Sequence, residues 1–64
     1  HLLIENKGEI KISFTKNSPI TTVTVINGSA TIAYNNLNNT SKVVNLEEGQ
    51  NLQFNEGNRK VVLE

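Results

Sequence analysis

The chain has 64 residues, six basic and six acidic side chains that cancel, one histidine and no cysteine. This excludes a second domain, a disulfide staple, a thiolate metal site and the net basic footprint of a nucleic-acid face. At this size folding hides only about 60% of the surface an unfolded chain exposes, so the core must suffice or a partner must share the task.

The charges are scattered, from Lys7, Glu9 and Lys11 through Lys42, Glu47 and Glu48 to Arg59 and Lys60. Asparagine is abundant and aspartate absent. Asn tolerates left-handed geometry and bonds its own backbone, so Asn-rich stretches read as tight turns. No apolar run approaches the roughly 20 residues that cross a bilayer as a helix, and no signal peptide is visible, so direct membrane insertion is not expected of this segment. A start at His1 without Met reads as a piece of a longer protein.

Between turn signals the apolar residues recur with period two, the pattern of half-buried strands. Leu2 to Ile4 is a short apolar start closed by Asn6, Lys7 and Gly8. Ile10, Ile12 and Phe14 alternate with Glu9, Lys11 and Ser13, until Lys16 to Pro19 break the run. Ile20 to Ile26 is rich in β-branched residues and ends at Asn27-Gly28, a strong signal for a type I′ hairpin into Ser29–Tyr34. That hairpin sets Val25 opposite Ala30, Val23 opposite Ile32 and Thr21 opposite Tyr34 on the core side. It leaves Thr22, Thr24 and Thr31 on a wet or partner-facing side.

Asn35 to Ser41 reads as a loop, Val43 to Leu46 as a strand, Glu47 to Gln50 as a turn at Gly49, and Leu52 to Phe54 as a further strand. A turn containing Gly57 precedes Val61 to Leu63. The expectation is an all-β fold of about seven short, mainly antiparallel strands in a small sandwich, roll or partial barrel, as one domain.

Chemistry is sparse. Glu47 and Glu48 are adjacent and diverge on an extended or turn backbone, so they read as turn charges rather than an acid–base pair. The serines lack a histidine partner and a nucleophile elbow. With no Asp there is no cluster of hard oxygen ligands for a metal, and the isolated glycines make no phosphate loop. The expectation is no catalytic residue, no cofactor and no metal. Asn27-Gly28-Ser29, Asn38-Asn39-Thr40 and Asn39-Thr40-Ser41 match the glycan acceptor pattern, which an Asn- and Thr-rich chain produces by chance. Phe14 and Phe54 read as core, whereas Tyr34 divides between core and sheet edge.

The stretch ITTVTVINGSATIAYNNLNNTSKVVNLEEGQ, from Ile20 to Gln50, resembles the core of FecR-like domains. Val23 and Val25, Gly28, Ala30 and Ile32, then Val43, Val44 and Leu46, then Gly49-Gln50 fill that family's slots, with Glu48 where Pro is common. The tail from Asn51 to Glu64 is similar to the family's closing strands. The resemblance implies a periplasmic or cell-surface module of a Gram-negative bacterium. In FecR-type regulators the outer portion receives a signal from a TonB-dependent transducer, and a segment across the inner membrane holds a sigma factor.

The expected function is therefore non-catalytic: a protein-binding or signal-receiving module working through β edges and the surface of Thr22, Thr24, Thr31 and Tyr34. The alternatives are a self-assembling module of a phage tail, fibre or surface appendage, and a carbohydrate-binding module. Nucleic acid is not an expected partner.

Overall fold

A computed structural model describes residues Leu2–Glu64, and these form five antiparallel strands and no helix. They are β1 (Leu2–Phe14), β2 (Ile20–Asn35), β3 (Ser41–Glu47), β4 (Asn51–Asn55) and β5 (Val61–Leu63). β1 and β2 make one long hairpin, running from Leu2 opposite Tyr34 to Phe14 opposite Thr21. On its other side β2 has two partners in succession: its first half pairs with β4, which carries β5, and its second half pairs with β3.

Five strands replace the expected seven because two apparent turns lie inside strands. Gly8, expected to close a first short strand, is the midpoint of β1, and Asn27-Gly28, expected as a hairpin tip, lies within β2. The two glycines face each other, Gly8 at φ +112° and Gly28 at φ +81°. An added Cβ would stand 1.8 Å from the Lys7 carbonyl oxygen at Gly28 and 2.4 Å from that of Asn27 at Gly8. Only glycine permits both the backbone sign and the close approach.

Beside them the register shifts: Glu9 pairs with Asn27 but Ile10 with Val25, so Ile26 is the extra residue of a β-bulge. Asn27 holds the irregularity in place. Its Oδ1 accepts from the Glu9 N–H at 3.2 Å, and its Nδ2 donates to Glu9 Oε1 at 3.2 Å.

The consequence is a sharp bend. Sixteen extended residues span about 50 Å, yet the longest dimension of the molecule is 31 Å. The β3–β4 turn follows the same corner. Gly49, at φ +87°, donates its N–H to the Val25 carbonyl at 2.9 Å, and Val25 donates to the Gln50 carbonyl at 3.0 Å. Gln50 N–H bonds the Glu47 carbonyl, closing a four-residue turn with Gly49 in its third place, where a type II turn requires positive φ.

The single open sheet thus bends so that one of its faces lines the core, in place of the two packed sheets of a sandwich or the closure of a barrel. Val23, Val25, Leu52 and Phe54 from one half meet Ala30, Ile32 and Leu46 from the other, all fully or nearly fully buried. Ile4, Ile10, Tyr34, Val44 and Val61 pack around them.

At the open end, opposite the bend, three turns gather. The 15–19 turn is tied to the 56–60 turn by Glu56 N–H donating to the Pro19 carbonyl at 2.8 Å. Arg59 reaches the 36–40 turn, its Nη1 donating to the Asn36 carbonyl at 3.5 Å. Gly57 sits in its expected turn, capped by Asn55 Oδ1, which accepts the Gly57 N–H at 2.8 Å and the Asn58 N–H at 3.2 Å.

Candidate functional site

The expected partner residues fall on two faces of the bent sheet. Thr22, Thr24 and Thr31 lie outside and Tyr34 inside, because the bulge reverses which parity of β2 faces the core. The two groups do not form one surface. Thr24 Oγ1 donates to Asn51 Oδ1 and Thr31 Oγ1 to Asn45 Oδ1 at 3.0 Å, so two of the three threonine hydroxyls bridge neighbouring strands. Tyr34 packs edge-on against Phe54, with ring centroids 5.4 Å apart.

Direct neighbours also differ from expectation. Val23 stands between Ile12 and Leu52, and Ile32 between Ile4 and Val44, rather than opposite one another. The core assignment of these residues holds because a two-residue turn and a one-residue bulge both reverse the inward parity.

The more informative surface is the outer edge of β1, one strand where two short ones, Leu2 to Ile4 and Ile10 to Phe14, are expected from the sequence. β1 pairs with β2 alone, leaving one side of a 13-residue strand without a neighbour. Edge strands carry a row of unpaired backbone donors and acceptors, and natural proteins usually keep them short, charged or covered. The second half of this edge is apolar on the inner side. Ile12 is 50% exposed and Phe14, expected in the core, is 78% exposed. Each stands at the end of a row across the sheet: Ile12–Val23–Leu52–Leu63, and Phe14–Thr21–Phe54–Val61. Val23, Leu52 and Phe54 within these rows are fully buried and Thr21 is half-buried, whereas the β1 ends are exposed.

On the outer face of the other half, Leu3, Ala33 and Val43 form a cross-strand row, with Leu3 and Val43 exposed. Among the described residues no group of three His, Asp or Glu side chains gathers as a metal site. Among the described residues no helix is long and apolar enough to cross a membrane. Glu47 and Glu48 sit at the β3–β4 corner, both exposed.

Compared with known proteins, the chain matches no family model, no curated protein and no solved structure.

Proposed function

We propose that this chain is a non-catalytic β module that captures a protein partner by strand addition along β1. The observation that carries the reading is the outer edge of β1: one side of the strand has no neighbour, and its inner-face residues Ile12 and Phe14 continue the core rows into solvent. A strand laid antiparallel beside Lys11 to Phe14 would satisfy the free backbone groups and cover both side chains, which is how β-augmentation divides affinity and specificity.

Within this reading the partner is a signalling domain of the kind that FecR-type regulators receive in the periplasm. Support for that choice is the residue pattern from Ile20 to Gln50.

A second reading is self-assembly, favoured by the row that contains Ile12. It ends at Leu63 on β5, the opposite edge of the same half-sheet, and that residue is exposed as well. β1 of one copy against β5 of the next would continue the row from molecule to molecule.

Sedimentation and pull-down of the chain beside an Ile12→Lys/Phe14→Lys variant test both readings. Capture of a transducer signalling domain that the variant loses supports the partner reading. Concentration-dependent oligomers that the variant abolishes support self-assembly. Association that survives the double substitution removes the β1 edge from either role.

A further inference from the structure

A cleft of about 480 Å³ opens between the 36–40 and 56–60 turns, at the end of the molecule opposite the bend. Its volume lies in the range of ligand pockets. Lys42 on β3, Arg59 and Lys60 line it, and no carboxylate does. Half of the chain's six cations are therefore collected in one concavity of a protein whose net charge is zero.

The bend produces this separation. It brings together the turns at the open end, where Lys16, Lys42, Arg59 and Lys60 stand against Glu56 alone. Toward the bend lie Glu5, Glu9, Glu47, Glu48 and Glu64, against Lys7 and Lys11. A concave surface lined by one sign of charge focuses its field on an oppositely charged ligand.

The uncharged groups of the cleft reinforce the sign. Asn36 Oδ1 is occupied by the N–H groups of Asn38 at 2.9 Å and Thr40 at 3.0 Å, and Asn58 Oδ1 by that of Lys60 at 2.9 Å. Each amide is thereby oriented: the Asn36 Oδ1 accepts two bonds and the Asn58 Oδ1 one from its own turn, and each NH2 is left to donate. The Asn36 main-chain carbonyl is likewise engaged, by Asn39 N–H and the Arg59 guanidinium. The cleft presents donors and cations to a ligand that must supply acceptors and negative charge.

We propose that this cleft is a binding site for carboxylate side chains of an acidic peptide segment. A peptide fits better than an acidic saccharide. Sugar rings are gripped by open aromatic faces, and Tyr34, the one aromatic at the cleft, is half-buried against Phe54. The outer edge of β3, beginning at Ser41 beside Lys42, carries no strand and offers backbone partners to an extended chain. Arg59 and Lys60 supply charge-assisted hydrogen bonds, the strong class for carboxylates. This site is separate from the β1 edge and does not depend on the function proposed for it.

The test is titration of the isotope-labelled chain with a hexaglutamate peptide, followed by amide chemical shifts. Shifts confined to residues 36–42 and 58–61 are expected, with affinity lowered about tenfold or more by Arg59→Glu/Lys60→Glu. Lys7→Glu/Lys11→Glu changes the net charge equally at the other pole and is expected to alter affinity less than about twofold. Ile12→Lys/Phe14→Lys is expected to leave the binding intact, which separates this site from the β1 edge. Equal loss in both charge-reversal pairs, phosphate binding as tightly as the peptide, or polygalacturonate binding more tightly would each overturn the proposal.

Discussion

Tyr34 and Phe54 meet edge to face, their ring centroids 5.4 Å apart at an interplanar angle of 61°. Phe54 is the neighbour of Thr21 across β2 and β4, and Thr21 lies 13 residues before Tyr34 on the same strand. In a straight strand that separation would be about 43 Å. The ring contact exists because β2 doubles back at Gly28, so the core depends on a backbone feature as much as on apolar side chains.

Gly28→Ala should therefore unfold much of the population. It combines a positive φ, which costs a non-glycine residue about 1–3 kcal/mol, with a Cβ 1.8 Å from the Lys7 carbonyl oxygen. A chain of 64 residues has a total stability of about 3–10 kcal/mol. Gly49→Ala is the control: φ is also positive, but its Cβ meets nothing within 4 Å, and a loss of about 1–2 kcal/mol is expected. Urea denaturation of the two variants should rank them in that order, and equal losses would mean that the close approach at Gly28 is unimportant.

The two phenylalanines should behave oppositely. Phe54 is completely buried at the junction of the two half-sheets, and Phe54→Ala is expected to cost about 3–5 kcal/mol. Phe14→Ala, at the free edge, should change stability by less than about 0.5 kcal/mol while weakening association. Thermal unfolding by circular dichroism, paired with sedimentation, separates these effects. A large loss of stability at Phe14 would reassign it to the core.

Thr24 and Asn51 form a partly buried side-chain hydrogen bond between β2 and β4, whereas Thr31 and Asn45 form an exposed one between β2 and β3. Thr24→Val removes the donor and leaves Asn51 Oδ1 short of a partner, at an expected cost of about 1 kcal/mol. Thr31→Val keeps the β-branched shape in a position open to water and should lie within about 0.5 kcal/mol of the parent. Double-mutant cycles with Asn51→Ala and Asn45→Ala measure the two couplings. Comparable values would show that burial does not distinguish them.

Legibility in the sequence followed the range of the interactions. Period-two alternation at Ile10–Phe14, Val23–Val25 and Ala30–Ile32 gave the all-β character and most of the core, because side-chain alternation is local to a strand. The turns at Pro19, Gly49 and Gly57 were legible for the same reason: each depends on the conformational preference of a few adjacent residues. The core pattern could not distinguish a hairpin at Asn27-Gly28 from a bulge within one strand. Val23 and Val25 face inward on odd numbers and Ala30 and Ile32 on even ones, and either event reverses parity.

What decided between them is Gly8, 20 positions away, whose backbone packs against Gly28 in a way open only to glycine. Tertiary structure likewise decided that Phe14 is exposed. Its alternation places it on the core face, but it stands at the last position of an edge strand, with no further strand beside it. The cationic cleft belongs to the same class of feature. Lys42 lies 17 positions before the adjacent Arg59 and Lys60, and the three become one surface only because the bend carries the 36–40 turn back to the 56–60 turn. The sequence by itself determined which residues seek the core and where the chain prefers to turn. Only the fold, through a bend formed by two facing glycines and one extra residue, determined which edges and charges are left for other molecules.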